Sequence, residues 1–115
     1  MLQNLFESIR KSGQPILDGF SDAEDVFESF NLPSGERKGL EIIFGIYEID
    51  GYDGSATVFF YDSNVGKYYE TYGGHCSCYG LEDQWSANEI CLKELETRLK
   101  NNDFFGSYQL AAALR

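Results

Sequence analysis

The 115-residue chain predicts an α+β fold, and three observations carry that prediction. The run Leu40 to Ile49 is apolar on both alternating sets of side chains, as a strand covered on two faces is. Two further strands rich in Phe and Tyr follow at hairpin spacing, Ala56 to Tyr61 and Lys67 to Tyr72. Helical periodicity flanks this block on both sides. The predicted architecture is a three- to four-stranded antiparallel meander packed against a C-terminal helix over 86–100, with N-terminal helices on the other face or at an edge. The length predicts one domain over 1–115: a helical N-terminal region over 1–35, sheet plus helix over 36–100, and a C-terminal segment over 101–115. A domain of this size buries roughly two-thirds of its unfolded surface.

Taken in order, Leu2, Leu5, Phe6 and Ile9 recur at helical spacing over 2–12. Arg10 and Lys11 stand in the last turn, where the helix dipole favours cations, and Gly13 stops the helix. Gln14-Pro15 then breaks the chain. Ser21 with Glu24 reads as a capping box opening a second helix, whose apolar face is Ala23, Val26, Phe27 and Phe30. In the strand block, Leu40, Ile42, Phe44 and Ile46 are expected on one face and Ile43, Tyr47 and Ile49 on the other. Asp50 to Gly54 and Asp62 to Gly66 read as the two hairpin turns. Ser86 with Glu89 reads as a second capping box, and Trp85 with Ile90 as its hydrophobic staple. Ala87, Cys91, Leu95 and Leu99 form the apolar stripe of that helix, where Cys91 is expected to pack as a small hydrophobe. Asn101-Asn102 ends it, and Ser107 to Arg115 adds a short terminal helix.

Composition excludes several classes of function. Hydrophobic content of 43% and aromatic content of 16% are too high for a disordered chain. No apolar run approaches the ~20 residues that span a bilayer. Met1 to Glu7 lacks the basic region and apolar block of an export signal, so the expectation is a cytoplasmic protein whose three cysteines are reduced. The net charge is −10, with ten acids against four bases in residues 1–50 and nine against five in the rest. Such a surface repels phosphate backbones, which argues against direct nucleic-acid binding. It suits a protein partner with a basic surface. Between Asp18 and Glu28 lie five acids and no base, and Asp22, Asp25 and Glu28 are the candidate contacts for that partner. The competing reading of the same residues is a solvated helix face that serves solubility.

The stretch Gly73 to Trp85 concentrates the remaining chemistry. It holds the only His, the only Trp and two of the three Cys. His75, Cys76 and Cys78 are natural zinc ligands. In an extended chain Cys76 and Cys78 share one face and His75 takes the other, so a common ion needs the preceding glycines to curl the backbone. A closed zinc site also needs a fourth ligand, from Cys91, Glu82 or Asp83, and paired Cys-x-x-Cys knuckles are absent. Thiol chemistry is the second reading, with His75 as base and Glu82 to orient it, but acidic surroundings oppose a stabilised thiolate. The third reading is structural: thiols and a satisfied histidine scaffold a ridge on which Tyr72, Tyr79 and Trp85 serve as aromatic anchors. No phosphate loop is present, since Gly35 to Gly39 lacks the spacing. Asp50 to Gly54 lacks the third ligand and the terminal Glu of a calcium loop.

The run Gly74-His75-Cys76-Ser77-Cys78-Tyr79-Gly80-Leu81-Glu82, followed by Gln84-Trp85, resembles a motif of small phage and prophage proteins. In those, an aromatic strand precedes Gly-His-Cys-Ser-Cys, and Gly-Leu-Glu-x-Gln-Trp leads into an acidic helix start. The resemblance covers about Asp53 to Leu99. This chain departs from it at Asp83, where a small residue is usual, and at Ser86 to Glu89, where a proline and a second acid are usual. The resemblance implies a phage setting, in which small acidic proteins bind and block host machinery and some imitate the charge of DNA. The resulting expectation is a non-enzymatic acidic protein that inhibits a host protein or defence system without a cofactor, with a small zinc-binding domain as the alternative.

Overall fold

The computed structural model describes residues 2–76 and 80–114. The elements are α1 (Leu2–Ser12), β1 (Ile16–Asp18), α2 (Ala23–Ser29), a single 3-10 turn (Ser34–Glu36), β2 (Leu40–Asp50), β3 (Asp53–Asp62), β4 (Lys67–His75), β5 (Asn88–Glu89), α3 (Leu92–Lys100) and α4 (Ser107–Ala113). The α+β class holds. So does the antiparallel meander β2–β3–β4, joined by Gly51-Tyr52 and by residues 63–66. The sheet is larger than the sequence predicts, with five strands in the order β1-β2-β3-β4-β5. The two added strands are short edges. Three residues of β1 pair parallel to Phe44–Ile46, and two residues of β5 pair antiparallel to Tyr69 and Glu70. Neither is long enough to show an alternating pattern, and Pro15 masks the first.

A bulge explains how β2 is buried on both faces. Ile42 faces Phe60 and Phe44 faces Phe59, so Ile43 is the extra residue. The extra residue shifts the side-chain alternation by one. Ile43, Phe44 and Ile46 therefore pack on one face with Phe59, while Ile42 joins Phe60, Val58 and Ala56 on the other. The face assignment expected from strict alternation is thereby corrected for Leu40, Ile42 and Ile43: the first two join Tyr47, and Ile43 joins Phe44 and Ile46.

Each face of the sheet has its own core. The first gathers α1, α3 and α4 through Leu2, Phe6, Ile9, Leu95, Leu99 and Leu110. Here Phe44 and Phe59 stack with ring centroids 5.4 Å apart, and Phe104 meets Phe59 edge-on at 5.5 Å. The Leu2 amide donates to Glu96 at 3.0 Å, tying α1 to α3. The opposite face carries α2 through Val26, Phe27 and Phe30, closed by Leu32 and Leu81. The two N-terminal helices, expected together, are thus split across the sheet.

Both predicted capping boxes move. Asp22, not Ser21, caps α2: its Oδ1 accepts from the Asp25 amide at 2.8 Å, and Asp25 Oδ2 accepts from the Ser21 amide at 2.9 Å. The pattern departs from a capping box in one respect: Asp25 reaches the amide of Ser21, one residue before the cap, and not that of Asp22 itself. The last long helix begins at Leu92, not Ser86, with Cys91 at its N-cap. Ser86 donates its amide to Thr71 Oγ1 at 3.0 Å, and Asn88-Glu89 pairs with β4 instead of turning helical. Trp85 and Ile90 do not form a staple, because they pack into opposite cores. The chain crosses the β4 edge between them. Cys91 is exposed rather than packed.

Candidate functional site

The stretch 73–85 starts at the end of β4 and folds over the α2 face. Gly73 has no room for a side chain: a Cβ there would lie 2.7 Å from Leu81 Cδ2 and 3.1 Å from Phe30 Cε1. Leu81 is fully buried at that point. Asp83 takes a left-handed conformation, φ 62°, and its amide donates to the Phe30 carbonyl at 3.3 Å. Gln84 bridges the two ends of the intervening loop. Its Oε1 accepts from the Gly74 amide at 2.9 Å, and its Nε2 donates to the Gly80 carbonyl at 2.9 Å. Glu82 Oε2 accepts from the Gly80 amide at 2.8 Å. Trp85 fills the gap between α2 and the sheet, with ring centroids 4.8 Å from Phe60, 5.3 Å from Phe30 and 6.0 Å from Phe27. Leu81, Glu82, Gln84 and Trp85 therefore form a clamp that fastens α2 to the sheet.

His75 sits at the end of β4, opposite Gly54. A Cβ on Gly54 would collide with His75 Nε2, so only glycine leaves space for the ring. Nε2 lies 2.6 Å from the Tyr47 hydroxyl, and Nδ1 lies 3.1 Å from the Cys76 carbonyl. One neutral tautomer satisfies both contacts: Tyr47 donates to Nε2, and Nδ1–H donates to the carbonyl. Burial raises the Tyr47 pKa, and the negative charge of Glu82 raises it further. Tyr47 therefore holds its proton, consistent with its role as donor. The pair sits on the α2 face with Phe20 against Tyr47, centroids 5.4 Å apart.

This geometry bears directly on the metal and thiol readings. Both ring nitrogens of His75 face protein atoms, Cys76 is exposed, and Cys91 lies at the α3 N-cap past the β4 edge. Among the described residues no group of three His, Cys, Asp or Glu side chains is placed to hold a metal ion. Cys78 lies outside the described residues, as does Tyr79.

The other aromatic candidates have internal partners. Tyr72 donates to Glu70 Oε2 at 2.8 Å and accepts from Arg98 Nη2. Arg98 Nη1 contacts both Glu70 oxygens, at 3.2 and 3.0 Å. Burial, aided by the Glu70 carboxylate, pushes the Tyr72 pKa up to about 12. Trp85 is half-buried in the clamp. Tyr72 lies on the α3 face with Glu70, and Trp85 lies on the α2 face, so the two do not line one ridge.

Of the acidic candidates, Asp22 and Asp25 are committed to capping α2, while Glu28 is exposed. Glu24 pairs with Arg37 at 2.8 Å. Acids without a neighbouring Lys or Arg in sequence gather at one end of the sheet. β1 runs parallel to β2, and the meander brings β4 into the same direction, so their C-terminal ends meet at one end. That end carries Asp18, Glu48, Asp50 and Asp53, with Glu82 close enough to act on Tyr47. No Lys or Arg occurs in residues 47–54 or 73–85. Arg37, Lys38 and Lys67 stand at the opposite end, where β2 and β4 begin, mixed with Glu36, Glu41 and Asp62 and with Arg37 and Lys67 in ion pairs. Ile49 and Tyr52, at the acidic end, are 60% and 80% exposed.

Sequence reasoning misses Tyr47, Gly54 and Gln84. Gly54 reads as a turn residue, although its place opposite the only histidine follows once the β3–β4 register is known. Gln84 lies inside the Gly-Leu-Glu-x-Gln-Trp wording, and no periodicity marks a side chain that bridges a loop. No described helix is long and apolar enough to cross a membrane. Compared with protein-family models, curated proteins and solved structures, the chain finds no match.

Proposed function

We propose that this chain is a non-enzymatic acidic binding protein, a phage-encoded inhibitor that acts in the host cytoplasm on a protein with a basic surface. The observation that carries the reading is the acidic, partly apolar hairpin end of the sheet. One end of the sheet gathers Asp18, Glu48, Asp50 and Asp53 around exposed Ile49 and Tyr52, with no Lys or Arg in the hairpin 47–54. Carboxylates at that end steer a basic partner, and the exposed hairpin tip supplies apolar contact. Glu28 adds an exposed carboxylate on α2, the helix that Asp22 and Asp25 cap.

The test is capture from a bacterial host lysate at low salt, followed by affinity measurement with the captured protein. Charge reversal at exposed Asp18 and Glu28 removes the interaction in this reading and leaves α2 capped. Unchanged affinity in that variant would sink it. Metal analysis of protein purified without a His tag addresses the zinc alternative: about one zinc per chain is expected only of a closed site.

A further inference from the structure

We propose that the open edge of β1 accepts an extended, cation-bearing segment of the partner protein as an added strand. The inference rests on the acidic-binding reading and adds the mode of contact. Among the described residues, no hydrogen bond outside the β2 ladder involves Ile16, Leu17 or Asp18. In a parallel ladder each strand aims half of its amides and carbonyls away from its neighbour, so an edge strand presents unpaired groups.

Among the described residues the other edges carry more protection. Gln84 Oε1 takes the Gly74 amide, Thr71 Oγ1 takes the Ser86 amide, and the two residues of β5 end in a Glu89–Lys67 ion pair at 3.0 Å. The first residues of β2, which extend past β1, are blunted by the bulge at Ile43 and by the Arg10–Glu41 pair at 3.7 Å. Charges and bulges of this kind are how sheets protect their edges. β1 carries no Lys, Arg or bulge, and its protection is its three-residue length, Pro15 before it and the Asp18 carboxylate, which a cationic strand would answer.

Beside β1 runs a groove of about 450 Å³ with Pro15, Leu17 and Ala23 along it and Ser21, Asp22 and Glu24 at its rim. A second hollow of about 190 Å³ shares Pro15 and Ala23 and continues the groove to Leu40 and Ile42. An added strand sends alternate side chains to one face, so its apolar residues reach this floor. Asp18, next to Leu17 on the strand and on the face away from the groove, selects the rest. Arg37 answers Glu24, but exposed Asp18 enters no ion pair among the described residues. A Lys or Arg flanking the apolar residue supplies that counter-charge.

The probe is a blocked hexapeptide of alternating Lys and Val, titrated at low salt into the ¹⁵N-labelled chain. Amide shifts confined to residues 13–24, with a Kd of about 1 mM or below, support the proposal. The same peptide with alternate backbone amides N-methylated binds about tenfold more weakly if main-chain pairing holds it. An alternating Glu-Val peptide does not bind. Equal binding of the N-methylated or the Glu-Val peptide overturns strand addition. So do shifts at residues 49–54 alone, or no shift. Because the probe needs no host protein, a failure here beside salt-dependent capture that survives removes only the β1 edge. Loss of capture on reversing Asp18 and Glu28 is a separate outcome that concerns the acidic surface itself.

Discussion

The Tyr47 hydroxyl lies 2.6 Å from Nε2 of His75, in a space that exists because residue 54 is glycine. Three strands contribute to this contact: Tyr47 from β2, Gly54 from β3 and His75 from β4. It fixes the ring at the point where the sheet hands over to the clamp.

The contact predicts a tautomer. With Tyr47 as donor to Nε2, the neutral ring carries its proton on Nδ1, facing the Cys76 carbonyl. Long-range ¹H–¹⁵N spectra of the neutral His75 ring should show that form. Tyr47→Phe should shift the ring toward the Nε2–H form, and Gly54→Ala should do the same by expelling the ring. An Nε2–H ring in the wild type would contradict the assignment.

Alkaline pH provides a second check. Tyr47 and Tyr72 both titrate above the ordinary tyrosine range in the folded chain, Tyr72 at about 12. Unfolded tyrosines ionise near pH 10. Between there and about 12 the folded state binds more protons than the unfolded state, so stability falls as pH rises through that window. Ultraviolet titration at alkaline pH should show Tyr47 and Tyr72 ionising later than free tyrosine, and Tyr72→Phe should remove the later of these steps.

The clamp predicts large losses from small changes. Leu81→Ala should cost about 3 kcal/mol, because a fully buried leucine leaves a cavity between α2 and the sheet. Gly73→Ala should cost roughly 1–3 kcal/mol through overpacking against Leu81 and Phe30. Denaturant unfolding measures both.

The acids of α2 separate structure from recognition. Asp22→Ala should lower stability by about 1 kcal/mol through the lost cap, whereas Glu28→Ala should stay within about 0.5 kcal/mol. If partner affinity follows Glu28 while stability follows Asp22, the two roles are distinct.

How far the sequence reaches can be judged from particular residues. The α1 helix over 2–12, with Arg10 and Lys11 in its last turn, is legible because an amphipathic stripe and a stop signal agree. The β2–β3–β4 meander is legible from alternation and from glycines in the turns. β1 is not, because three residues after a proline carry no period. The start of α3 is misplaced because Ser86 and Glu89 satisfy a local capping pattern that β4 overrides by pairing with Asn88-Glu89. At the candidate site, the rare residues mark the stretch whose described part fastens α2 to the sheet. Their roles depend on partners distant in the chain, Tyr47 for His75 and Phe30 for Leu81 and Trp85.

The central claim is that this chain works through an acidic surface, with its His-Cys corner belonging to the scaffold. Its most direct test is the affinity of the captured, purified host protein for the wild-type chain and for the Asp18→Lys, Glu28→Lys double variant, measured across a salt series. The account predicts wild-type binding that weakens steeply with salt, and a loss of about tenfold or more in the double variant at low salt. Salt-independent binding that the double variant retains, and that disappears on chelation or on Cys76→Ser, would contradict it.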